Sequence, residues 1–186
     1  ITGTDSSGAI VVRNGGSVQL TNADIHNVSK VDIYTGSSLE MTGGTVNSRG
    51  NLWIDAGATV SLNGVTAQDE IRNNGTLHIT DCVLEVTVQM NGSAVLNGSG
   101  NVFNRAEAYR LTQRYAGNTA DLLATVGSAV DGAYISLNGE LGSCTLVAVP
   151  AELLSGGYRS SNTVTVVSGS TMTLAEAACL QMQDGH

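Results

Sequence analysis

Residues 52–64 read LWIDAGATVSLNG. Leu52 and Ile54 alternate with other residues, Gly57 follows, and Val60 and Leu62 alternate again before Gly64. Alternation of period two marks a strand with one buried face. The stretch therefore predicts two short strands hinged at a glycine, which supplies a positive φ or room for a tight corner.

The same pattern recurs on both sides. Anchored on the central glycine, it is Ile10, Val12, Gly15, Val18, Leu20, then Val31, Ile33, Gly36, Leu39, Met41. After the quoted copy come a looser one, Ile71, Gly75, Leu77, Ile79, and a fifth, Val88, Met90, Gly92, Val95, Asn97. The copies start at 10, 31, 52, 71 and 88, so the period lies between 17 and 21 residues. Repetition at this length is the signature of a stacked architecture. One copy cannot enclose a core, because two three-residue strands offer one apolar face and nothing to bury it against. Stacked copies pair each strand with its equivalent at about 4.8 Å and pile the apolar side chains into columns.

The expectation is an all-β parallel solenoid, a β-helix, right-handed by analogy with similar sequences. An antiparallel sandwich or barrel competes, because Asn-Gly pairs favour two-residue hairpins and Asn14, Asn63, Asn74, Asn91, Asn97 and Asn138 each precede Gly. The constant apolar register from copy to copy favours the solenoid.

Composition agrees with a thin core of small aliphatics. The chain has 186 residues, 23 Gly, one Pro, 4% aromatics and 13% charged residues. A net charge of −8 makes nucleic acid and anionic membrane surfaces poor partners, since both select basic faces. No apolar run is long enough to span a membrane. The opening ITGTDSSG has no Met and no visible signal peptide, which suggests a mature product or an excised piece. Cys82, Cys144 and Cys179 have no metal-ligand spacing and are expected as buried free thiols, with at most one internal bridge.

Residues 1–104 are read as solenoid turns. Residues 105–125, RAEAYRLTQRYAGNTADLLAT, break the alternation and contain good helix formers. Gly117 is expected to end a first helix, and Asn118 or Thr119 to cap a second. Arg105, Arg110 and Arg114 would line a solvated helix face or a docking surface for an acidic group. Strands are expected again at 133–138 and 144–149, then a loop over 151–162. Residues 105–162 thus form a helix-containing insertion or degraded turns. Val164, Val166, Gly169, Met172 and Leu174 repeat the offsets of the first copy, so 163–186 is a resumed turn or the C-terminal end, with a short helix over 174–181 as the alternative. The whole is one structural domain.

Catalytic chemistry finds little support. Asp55 with Glu70 is the first carboxylate pair to inspect for glycosidic cleavage, which needs two such groups about 5–10 Å apart. His26 and His78 have no Ser or Cys partner at a motif spacing. A calcium-binding nonapeptide and regular Thr-x-Thr columns are absent. No catalytic residue, metal ligand or cofactor is assigned. The sequons at Asn27, Asn74, Asn91 and Asn97 are mostly by-products of Asn-Gly-Ser/Thr turns.

Residues 36–65, GSSLEMTGGTVNSRGNLWIDAGATVSLNGV, resemble repeats of bacterial surface β-helix proteins, including autotransporter passengers and adhesins. The run Trp53-Ile54-Asp55 also resembles a Trp-Ile-Asp-His run of pectate lyases, but Ala56 stands where that pattern has His. The first resemblance implies an extracellular or cell-surface location and a non-enzymatic role in adhesion, self-association or display. Its partner would be a glycan or a protein on a surface; separately, exposed end turns are open edges unless capped, so end-to-end association of copies is expected. The second implies a carbohydrate-active fragment of lyase or hydrolase type. Trp53, Tyr34 and His78 fall at off-core positions and are the candidate contact residues.

Overall fold

The structure, a computed structural model, describes residues 8–182. These residues form an all-β parallel solenoid of about eight turns with one short helix. Turn one holds β1 (Ile10–Val12) and β2 (Ser17–His26), and turn two β3 (Val31–Ile33) and β4 (Ser38–Asn47). Turn three holds β5 (Asn51–Ile54), β6 (Thr59–Asn63) and β7 (Thr66–Ala67). Turn four holds β8 (Glu70–Asn73), β9 (Thr76–Thr80) and β10 (Val83–Leu84), and turn five β11 (Val88–Asn91), β12 (Val95–Ser99) and β13 (Asn101–Phe103). Turn six is β14 (Glu107–Thr112), α1 (Thr119–Ala124) and β15 (Val126–Ala129). Turn seven is β16 (Tyr134–Leu137), β17 (Gly139–Leu141) and β18 (Cys144–Leu146). Turn eight is β19 (Gly157–Ser160), β20 (Val164–Val166) and β21 (Met172–Leu174), and β22 (Leu180–Met182) opens the next pass.

The first face is a nine-stranded sheet in the order β1-β3-β5-β8-β11-β14-β16-β19-β22, every neighbour parallel. The long strands β2 and β4 turn a corner. The first part of β4 continues into β6, β9 and β12, the second face, and its second part into β7, β10, β13 and β15, the third. That corner is built from left-handed residues stacked turn on turn: Asn22, Gly43, Gly64, Asp81 and Gly100 have φ between 49° and 72°. The core is the predicted set of columns, with Ile33, Leu52, Ile54, Val60, Ile71, Leu77, Ile79 and Val88 fully buried.

Polar residues also sit inside. Asn101 is buried, accepts from the Cys82 N–H at 3.0 Å and donates Nδ2 to the carbonyls of Ile79 (3.0 Å) and Thr125 (2.8 Å). It ties turns four, five and six together. The predicted thiol burial holds for Cys82 and Cys144, whose pKa values burial pushes up, whereas Cys179 is exposed. All three are free.

Turn six differs from the expected pair of helices. Residues 107–112 form a strand of the first sheet, and only Thr119–Ala124 is helical, with Asn118 as its N-cap accepting from Ala120 N–H at 2.9 Å. A register shift between Glu107 and Tyr109 explains the lost alternation: it makes the adjacent Ala108 and Tyr109 both face inward. α1 buries Leu122 and Leu123 against the core. Two tyrosines fasten it. The Tyr109 hydroxyl bonds Thr125 Oγ1, and the Tyr158 hydroxyl lies 2.6 Å from Thr119 Oγ1.

Residues 157–160, expected in a loop, are a strand, because Tyr158 and Ser160 are buried behind the turn at Gly156 and Gly157. The repeat pattern at 164–174 is real but one corner out of phase. Val164–Val166 pairs with β17 rather than with the first sheet, and Gly169 lies between β20 and β21. The alternative of a helix over 174–181 is replaced by β22 at its end.

Candidate functional site

The first sheet presents an outer face on which Asp32 and Gln89 are covered and Arg13 and Tyr34 are exposed. Alternation from the buried Val12, Ile33 and Ile54 sends the next residues, Arg13, Tyr34 and Asp55, outward at successive turns. Backbone bonds from Tyr34 N–H to the Val12 carbonyl and from Asp55 N–H to the Ile33 carbonyl, both 2.9 Å, hold them in register. With Val11, Asn14 and Thr35 they line an open groove of about 560 Å³. The Thr35 hydroxyl donates to Asp55 Oδ2 at 2.9 Å and lies 2.8 Å from the Ala56 carbonyl, which fixes the carboxylate at the rim. Tyr34 is 41% exposed and Val11 44%. The groove thus offers an aromatic face, a guanidinium, an amide and a carboxylate.

Trp53 lies outward and half-buried in the middle of β5, opposite Asp32 and Arg72 in the register. It shares the outer face with Tyr34. His78 does not: it sits in β9 on the second face, between Ser61 and Asn97. The structure brings together two of the three contact candidates and places the third elsewhere. The groove partners Val11, Arg13, Asn14 and Thr35 were missed in the sequence. Their signal was positional, since each lies near the glycine hinge of its copy.

Asp55 and Glu70 are not a pair. Glu70 opens β8 opposite Asn51, while Asp55 follows the other end of β5, a separation of about 13 Å along the strand direction. Glu70 instead joins a network over turns four to seven. Arg110 donates Nη1 to Glu70 Oε1 at 2.9 Å and clasps Glu107 with Nε and Nη2 at 3.0 and 2.5 Å. Arg72 Nε donates to the second Glu70 oxygen at 2.8 Å, and Ser136 Oγ donates to Glu107 Oε1. Residues three apart in a regular strand face opposite ways, so the shift at Ala108 is what lets Glu107 and Arg110 meet. The expected helix face of Arg105, Arg110 and Arg114 does not form: Arg110 is ion-paired in this network, Arg114 meets Glu140 at 3.2 Å, and Arg105 donates Nε to the Thr87 hydroxyl at 3.1 Å.

Burial alone would raise the Glu107 pKa. The Arg110 and Ser136 hydrogen bonds, the Arg110 charge and the Thr87 hydroxyl outweigh it, and the net shift is downward. A carboxyl held below its unfolded value of about 4.3 stabilises the fold above that pH. The contribution fades as pH falls through the folded value. Glu107→Gln is expected to cost about 1–2 kcal/mol at pH 7, after allowance for its solvent exposure, and progressively less as pH falls through the folded value. Urea unfolding across that range checks it, and an equal cost at both ends would show the charge to be idle.

Among the described residues, no group of three His, Cys, Asp or Glu side chains is placed to hold a metal ion, and no helix is long and apolar enough to cross a membrane. No protein-family model, no curated protein and no solved structure matches the chain.

Proposed function

We propose that this chain is a non-enzymatic β-helix module of a bacterial surface or secreted protein, and that it adheres to glycan through the groove around Tyr34. The observation that carries this is the exposed Tyr34 ring flanked by Arg13, Asn14 and Asp55 on a flat sheet. An aromatic face takes the apolar side of a pyranose, while the polar neighbours satisfy its hydroxyls. Solenoid faces act through many weak contacts in a row, and Trp53 lies on the same face two residues before Asp55. The carboxylates farther along are engaged by arginines, which suits a binding surface better than acid–base work.

A glycan-array screen with reducing-sugar release assayed on the same polysaccharides tests the proposal. Binding without release is expected, and Tyr34→Ala is expected to weaken it about tenfold, the worth of one stacked ring. Release of sugar ends would favour a carbohydrate-active enzyme instead, and silence in both assays would leave a structural spacer.

A further inference from the structure

The second face stops at β12. Its strand order ends there, with β9 on one side and, among the described residues, no strand on the other. The cause lies in turn six. Gln113 and Arg114 both take positive φ, 47° and 64°, and the Ala116 N–H returns to the Gly92 carbonyl at 2.7 Å. Residues 115–118 then pair forward, Tyr115 with Leu141 and Asn118 with Thr145, rather than back to β12. α1 packs over part of the vacated place. What is left is a notch of about 230 Å³ between Ser93–Asn97 on one wall and Tyr115–Asn118 on the other.

We propose that this notch binds a short extended peptide with a basic side chain, which adds to the β12 edge as a further strand. Three observations point to that occupant. The edge is ready to pair: Val95 N–H turns to the β9 side and donates to the Gly75 carbonyl at 2.8 Å, so parallel alternation turns Leu96 and Gly98 outward. An unpaired strand edge is a template for another chain, and main-chain bonds of this kind carry recognition of extended peptides. A phenol also lines the notch: Tyr115 packs its hydroxyl against Gly117. Finally, the walls carry one acidic side chain, the exposed Asp121, beside the 46%-exposed Val95. They select an apolar side chain next to a basic one, in keeping with a chain of net charge −8.

The test is an amide-resolved NMR titration of the full 186-residue chain. The probe is acetyl-Val-Lys-Val-Thr-Val-amide, with the same peptide N-methylated at alternate residues as control. Saturable shifts confined to 94–98 and 115–121 are expected, with Leu96 amide exchange slowed at least about tenfold. Val95→Lys, at an exposed position, should abolish the shifts. Asp121→Asn should weaken binding about threefold, the worth of one exposed ion pair. Absence of saturation up to about 1 mM, equal binding of the N-methylated control, or shifts centred on β1 or β22 would overturn the proposal. None of these results bears on the Tyr34 groove, which lies on another face.

Discussion

Gly98→Ala is expected to lower the melting temperature by about 10 °C, a loss of roughly 4 kcal/mol in a chain of this size. Gly98 has φ +135°, a conformation reserved for glycine. A Cβ there would stand 1.7 Å from the Ile79 carbonyl oxygen and 2.6 Å from its carbon. Those atoms are backbone of β9, the strand to which β12 is bonded, so relief requires the ladder between turns four and five to open. Gly64→Ala separates the two components. Gly64 has φ +62° but nothing within 4 Å of its would-be Cβ, so it carries only the left-handed penalty of about 1–2 kcal/mol. Equal melting temperatures for the two variants would refute the idea that close approach between turns, rather than backbone conformation, sets the larger cost.

Asn101→Leu is the second large effect, a loss of about 4 kcal/mol. The change keeps volume and removes the polar partner of three backbone groups in turns four and six: the Cys82 N–H and the carbonyls of Ile79 and Thr125. Each buried group left without a partner costs about 1–3 kcal/mol. The Thr125 carbonyl keeps the Asn101 backbone N–H at 3.2 Å, which tempers the sum. Chemical denaturation measures the loss, and hydrogen exchange locates it, with the Cys82 amide expected to exchange fastest relative to the parent chain. A loss below about 1 kcal/mol would mean that water takes over the amide's bonds at this corner.

Both positions were hard to read from the sequence. Gly98 follows Asn97 in one of many Asn-Gly pairs, and Asn101 follows Gly100 in what looks like an ordinary turn. The columns of Leu52, Ile54, Val60 and Leu62 were legible because burial on one face imposes period two, and stacking imposes the same register on every copy. Legibility fell wherever a local irregularity broke that link. At Ala108 a bulge put two neighbours inward, and a strand took on the look of a helix. At Gly156 and Gly157 a glycine pair masked the strand that buries Tyr158. The pattern around Gly169 was sound, but a glycine hinge does not say at which corner it stands. The groove was less legible still: solvent-facing residues such as Arg13 and Asn14 follow no packing rule, and only the stacking of turns brings them beside Tyr34. Glu70 and Arg110 lie 40 residues apart and meet because the intervening turns fold back by whole periods.

That contact, and the one between Thr119 and Tyr158, have something in common. Each joins turns that are not adjacent, four with six and six with eight. The side-chain bonds from Gln19 to Glu40, Ser38 to Ser17, Thr35 to Asp55 and Ser48 to Asp69 each reach only the next turn. In a one-dimensional lattice of repeats, stability is the sum of each unit and its couplings to nearest neighbours. The first three turns obey that limit and can be lost from the end one at a time. The longer-range couplings bind turns four to eight into a single cooperative block, with turn six as the keystone that both of them cross.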